Sequence, residues 1–261
     1  MQAYPYNFRQ GKTWLSEGFA TFKKAPFTWA SAMAAYLLIM LAAFALMPGI
    51  FKILLLFPLN VCFSVSFLMM AQRIQTEHFI SLPLLFSGFT RQLKSLILIG
   101  LFEGGIIFFL TLTWFLLDPA FFEKVALYGQ TRNPKILENT SALSPLIFLA
   151  IVSLIKFVFM YAPALAAFYD VSPFKSIVFS IIATLRNIKP WFVFFVILMV
   201  NIFVFCLILK LIASVAPNFG YFIEQILMLC TVCILSPIIY ASIYKSFTDV
   251  FKINADLPTV A

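Results

Sequence analysis

The chain has 261 residues, 63% of them hydrophobic and 11% charged, with a mean hydropathy of +1.02. Soluble domains run at about 45–50% apolar and about 25% charged, so the composition excludes an ordinary water-soluble globule and makes lipid the main solvent. The net charge is +8, and in a membrane protein such an excess marks the cytoplasmic face rather than nucleic-acid binding.

Residues 1–27 are basic and aromatic, with Arg9, Lys12, Lys23 and Lys24 against Glu17. Trp14, Leu15, Phe19 and Phe22 share one helical face there. A first span is expected over 28–47, a tight turn at Pro48-Gly49 and a second span over 50–71. Runs of about 20 residues at about 1.5 Å per residue cross a hydrocarbon core of about 30 Å. The connection 72–94 carries Arg73, Arg91 and Lys94. In it, Ser81-Leu82-Pro83 reads as a helix start, followed by Leu82, Leu85, Phe86, Phe89 and Leu93 on one face. A third span is expected over 95–117, a polar loop over 118–144 and a fourth span over 145–169.

The stretch from Ser172 to Trp191, SPFKSIVFSIIATLRNIKPW, separates its residue types by helical face. Phe174, Val178, Ile181, Leu185 and Ile188 form an apolar face; Lys175, Ser176, Ser180, Thr184 and Asn187 form a polar one. Ser172 supplies a cap and Pro173 suits the first turn. The expected element is a helix in the membrane surface, wet on its polar side and anchored by Arg186, Lys189 and the interfacial Trp191. Spans five and six follow over 191–211 and 221–244, and 245–261 reads as a polar, frayed tail.

The fold class is therefore all-α and polytopic, with six transmembrane helices and cytoplasmic in-plane amphipathic helices. Twelve Lys and Arg residues fall on the N-terminal side of the spans and five on the other. That asymmetry puts both termini in the cytoplasm and the 118–144 loop in the periplasm. The stretches SEGFATFKKAP (Ser16 to Pro26) and SIIATLRNIKP (Ser180 to Pro190) share serine, proline, Ala-Thr and basic residues, and FSGFTRQLK from Phe86 is similar. They divide the chain into three units, 12–71, 79–169 and 172–244, each a surface helix followed by a hairpin of spans.

Few residues carry chemistry. Glu103 and Lys156 lie deepest in the expected spans, where a charge costs at least about 2.5–3.5 kcal/mol and requires a partner or water. They read as a structural ion pair, with a snorkelling Lys156 or a substrate or proton site as the other readings. Gly104 and Gly105 beside Glu103 suit close helix approach or a local break. Asn60 and Asn201 lie mid-span and suit interhelical hydrogen bonds. Kinks are expected at Pro163, Pro217 and Pro237. Lys23, Lys24, Arg91, Lys94, Arg186 and Lys189 form a candidate anionic-lipid belt. His78 is the single histidine and reads as a surface residue, which argues against a histidine zinc site. Cys230 and Cys233 form a C-x-x-C without polar neighbours and, like Cys62 and Cys206, read as packing. No phosphate-binding, nucleophile-elbow or metalloprotease motif occurs. No catalytic residue, metal or cofactor is expected, and the partners expected are membrane lipids, other membrane subunits or a second copy, with no nucleic acid.

GFATFKKAPFTW near the start, the run YAPALAAFYD ending at Asp170, and SPFKSIVFSIIATLRNIKPWFVF resemble the YciC-like six-span proteins of the bacterial inner membrane and their relatives. The resemblance implies that location and architecture, and no functional residue carries over from it. Two functions stand open. One is a non-enzymatic inner-membrane protein that contacts lipids or supports an envelope assembly through its basic amphipathic face. The other is a transporter or channel for a small or amphiphilic solute, centred on Glu103 and Lys156.

Overall fold

A computed structural model describes residues 2–47, 51–76, 80–131, 143–215 and 220–252. Ten α-helices and one 3₁₀ helix make up the described fold, and no strand occurs among these residues. Six helices are long and apolar enough to cross a membrane, and the chain is a multi-pass α-helical membrane protein. Helices are what such runs require, because hydrocarbon offers no partner to an open backbone N–H or C=O. His78, Pro48-Gly49, Pro217 and the sequence beyond residue 252 lie outside the described residues.

Helix α1 (Arg9–Lys23) precedes α2 (Pro26–Leu46) and α3 (Phe51–Thr76). The 3₁₀ helix Leu82–Phe89 precedes α4 (Leu93–Leu117), α5 (Pro119–Thr131), α6 (Leu143–Phe159) and α7 (Ala162–Tyr169). Helix α8 (Pro173–Arg186) precedes α9 (Ile188–Val215) and α10 (Gly220–Val250). Two boundaries differ from expectation. Within the stretch 118–144, read as a loop, Pro119–Thr131 form α5, which Asp118 caps by accepting from the Phe121 N–H at 3.2 Å, and residues 132–142 lie outside the described ones. The stretch from Lys245, read as a frayed tail, continues α10 to Val250 because Phe247 and Val250 are fully buried.

The three short helices that precede the hairpins, α1, the 3₁₀ helix and α8, close a circle. The 3₁₀ helix packs on α3, α8 packs on α6 and α7, and α1 packs on α10. Each therefore rests on the second span of the hairpin before it, and the first rests on the last. Two of these junctions are built alike. A Cβ on Gly18 would overlap Ser242 Oγ and crowd the Ile238 carbonyl; one on Gly88 would overlap the Cys62 carbonyl and crowd Ser66 Oγ. Ser242 and Ser66 each donate to that carbonyl, at 2.8 and 3.2 Å. Only glycine permits so close an approach of the short helix to the span.

Helix α8 buries the opposite face from a soluble amphipathic helix. In α8, Ser176, Ser180, Thr184 and Asn187 are fully buried, whereas Phe174 and Leu185 are 68% and 56% exposed. Of the face expected to be wet, Lys175 stays exposed while the other four residues are packed, and the apolar residues Phe174, Val178, Leu185 and Ile188 point outward. In α1 the packed residues are Gly11, Trp14, Gly18, Thr21 and Phe22, while Phe19 points outward. The inversion in α8 follows from the solvent: against lipid, large apolar residues lose nothing by exposure, and its small or hydroxylated residues do the packing, whereas α1 also packs through Trp14 and Phe22. Ser172 begins α8 but makes no side-chain cap. Trp191 is 1% exposed and lies in the core rather than at an interface.

The fourth span is broken. Helix α6 ends at Phe159 and α7 begins at Ala162, with Pro163 in its first turn. Proline has no N–H and displaces the preceding carbonyls. Ser180 of α8 repairs the gap, accepting from the Tyr161 N–H at 3.0 Å and donating to the Val158 carbonyl at 2.7 Å.

Candidate functional site

Glu103 sits on α4 about 15 Å along from Leu93, counting 1.5 Å per residue. Lys156 sits near the end of α6, before the break. The structure brings them together: Lys156 Nζ lies 2.8 Å from Glu103 Oε1. The Lys156 ammonium also lies over the Phe57 ring, 4.9 Å from its centroid. The two partners are unequally covered, with the Glu103 side chain 5% and the Lys156 side chain 41% exposed. Helix α4 is continuous, so Gly104 and Gly105 mark no break; Gly104 lies against Phe57 and Gly105 faces open space.

The pair forms part of the wall of a cavity of about 460 Å³. Its polar lining comes from Asn60, Ser64, Glu103, Ser153, Lys156, Ser236 and Tyr240, and its apolar lining includes Leu68, Phe157, Phe195 and Ile239. The cavity exists because the circle of spans is not equally tight. Helix α2 packs along α10 and α4 packs along α3, each first span on the second span of the hairpin before it. The third equivalent seam, between α6 and α9, stays apart along most of its length among the described residues. There Phe157 touches Trp191 and Phe195, with ring centroids 5.9 and 5.8 Å apart.

Asn60 donates from Nδ2 to the Tyr36 hydroxyl at 2.6 Å, joining α3 to α2 beside the cavity. Asn201 does not bridge helices. It is exposed and donates to the Ile197 carbonyl of its own helix at 2.7 Å. Among the candidate lipid contacts, Lys23, Lys24, Lys94, Arg186 and Lys189 are exposed and Arg91 is half-buried. Arg186 is also committed within the protein, donating to the Ala3 carbonyl at 3.0 Å. Lys23 lies over Phe19 and Lys189 over Phe8. All four cysteines are free, with Cys62 buried and Cys206 and Cys230 exposed.

Sequence reasoning missed a polar cluster where residues 4–14 meet residues 245–250. Asp249 accepts from Trp14 Nε1 and Gln10 Nε2, each at 2.9 Å, and pairs with Lys245 at 2.9 Å. The Tyr6 hydroxyl donates to the Asp249 carbonyl, and the Tyr4 N–H donates to the Val250 carbonyl. Asn187 accepts from the Tyr6 N–H and donates to the Tyr4 carbonyl, both at 3.0 Å. Partial burial, and then the Asp249 carboxylate, push the Tyr6 phenol up from its ordinary value. Beneath lies Tyr161, which accepts from Trp191 Nε1 at 3.1 Å and donates to Ser246 at 2.9 Å. The spacing of Lys245 and Asp249 was a usable helical signal; the long-range partners had none. No family model matches the sequence, and no curated protein or solved structure matches it either. The resemblance to YciC-like proteins thus rests on the quoted motifs.

Proposed function

We propose that the protein is a non-enzymatic carrier that takes a small amphiphilic solute from the membrane into the cavity beside Glu103 and Lys156. The observation that carries this reading is an intramembrane ion pair lining a cavity whose neighbouring seam is open. Ligand sites are typically about 300–1,000 Å³, mostly apolar, with a few polar groups that fix orientation; the cavity of about 460 Å³ has that size and lining. An intramembrane ion pair is costly to keep, and a structural pair needs no cavity beside it. The gap between α6 and α9 faces the surrounding lipid and supplies a lateral entrance for a tail, while the pair meets the headgroup.

A second reading keeps one observation of its own. Lys23, Lys24, Lys94, Arg186 and Lys189 are exposed near the ends of the spans that carry the termini. A basic belt of this kind gains about 1 kcal/mol per residue beside an anionic leaflet. It supports cytoplasmic termini in a bacterial inner membrane and a lipid-contacting or assembly-supporting role. A structure in nanodiscs of mixed zwitterionic and anionic lipid separates the two. Elongated density passing between α6 and α9 to Lys156 supports the carrier. A closed, empty seam with lipid ordered only at the basic belt supports the accessory role instead.

A further inference from the structure

We infer that the solute is an anionic amphiphile and that it binds together with one proton. This rests on the reading of the cavity as an amphiphile site, and adds the sign of the headgroup and the coupled ion. The two members of the pair are not equally available. Lys156 is well exposed on the cavity wall, while Glu103 is almost covered behind it. A headgroup entering by the α6–α9 seam meets the ammonium first. An ammonium has three N–H donors. One points to Glu103 Oε1, and the Phe57 ring covers another side of the nitrogen. Room is left for one further acceptor, which an anionic headgroup supplies. A cationic headgroup meets a like charge before it reaches the carboxylate.

The proton follows from the charge balance. Glu103 and Lys156 together are neutral, so an added anion leaves one uncompensated negative charge in a largely apolar cavity. Such a charge is expensive, and the nearest carboxyl relieves it by protonation. Glu103 is the group able to do so. Among the described residues that line the cavity, Lys156 from α6 and Tyr240 from α10 are the other ionisable groups. Tyr36 of α2 is one hydrogen bond further away, through Asn60. Helices α3 and α9 contribute Asn60, Ser64 and Phe195, and among the described residues no titratable side chain of α5, α7 or α8 lines the cavity. Lysine stays charged as the partner of the anion, and phenols already carry their protons at neutral pH. The step is then an exchange. A proton from water adds to a Glu103 carboxylate oxygen, and the ammonium turns from that carboxylate to the headgroup. No bond of the solute changes. Loss of the proton restores Glu103 as competitor for Lys156 and favours release.

The test uses the full-length protein in dodecyl maltoside, titrated calorimetrically between pH 6 and 8. One probe is decanesulfonate, whose headgroup keeps its charge throughout, and the other is decyltrimethylammonium. The sulfonate should bind at least about tenfold tighter, and its affinity should fall toward tenfold per pH unit, as uptake of one proton requires. Buffers of different ionisation enthalpy should report close to one proton taken up per sulfonate bound. Lys156→Met should abolish the preference for the anion. Glu103→Gln should keep sulfonate binding while losing both proton uptake and the pH slope. If either variant fails to fold, the buffer comparison on the unaltered protein decides alone. Preference for the cation, or sulfonate binding without proton uptake, overturns this inference and leaves the amphiphile site standing. Binding of neither probe overturns both.

Discussion

The hydroxyl of Ser180 accepts a hydrogen bond from the backbone N–H of Tyr161 across the break in the fourth span. The same hydroxyl donates to the Val158 carbonyl, so one side chain of α8 satisfies a donor and an acceptor on the span. This joint holds the end of α6, and hence Lys156, in its place beside Glu103.

Removing the joint should therefore be costly. Ser180→Ala deprives a buried N–H and a part-buried carbonyl of this partner and should destabilise the protein by about 1–3 kcal/mol, read as a lower melting temperature in detergent. Pro163→Ala in the same background should recover part of the loss, because it returns an N–H to the helix. Ser16→Ala, which removes an exposed hydroxyl bonded within its own helix, should change stability by no more than about 0.5 kcal/mol. Equal losses for Ser16→Ala and Ser180→Ala would show that the joint carries no special weight.

The glycine junctions allow a sharper contrast. Gly18→Ala and Gly88→Ala force a methyl into Ser242 and into the Cys62 carbonyl. Each should cost about 1–3 kcal/mol or more. Gly105→Ala places its methyl in open space and should stabilise α4 by up to about 1 kcal/mol through helix propensity alone. Thermal melts of the three variants, run side by side, check the order. A destabilised Gly105→Ala beside neutral junction variants would mean that the short helices do not pack as described.

The ion pair should behave as a coupled unit. Glu103→Gln leaves the Lys156 ammonium without its carboxylate. The loss should be about 1–3 kcal/mol, below the 3–5 kcal/mol typical of fully buried pairs, because Lys156 is two-fifths exposed. Glu103→Gln with Lys156→Met should recover much of it. Strictly additive losses in a double-mutant cycle would rule out direct coupling.

Six spans, their order and the three short helices between them were legible, because long apolar runs and turn residues are local signals. The pairing of Glu103 with Lys156 was legible as one of several readings, since a charge in hydrocarbon demands a partner. The packing of α8 was not. Periodicity separates the two faces of α8 but does not say which of them meets protein, and water and lipid give opposite answers. Ser180, Thr184 and Asn187 therefore went to solvent on paper and to the core in the structure. The Asp249 cluster was hidden for another reason: its partners Gln10 and Trp14 lie more than 230 positions away in the chain.

Topology gives a test that does not depend on stability. Thr131 ends α5 and Ser172 precedes α8, so an odd number of spans separates them. With cysteines introduced at each position and native cysteines replaced, an impermeant thiol reagent applied to cells with a permeabilised outer membrane should label Thr131→Cys and spare Ser172→Cys. The reverse pattern would place both termini in the periplasm, and labelling of both in intact inner membranes would break the six-span arrangement.

Photolabelling reads directly where an amphiphile sits in the protein. A decyl sulfonate carrying a diazirine near its headgroup, irradiated with the protein in nanodiscs and mapped by peptide mass spectrometry, should label the stretch 152–159 of α6 and the stretch 236–243 of α10. Excess unlabelled decanesulfonate should compete the label away. Label spread over the outward faces of α4 and α9, at Phe102, Phe109 or Phe203, and insensitive to competition, would contradict an amphiphile site at Glu103 and Lys156.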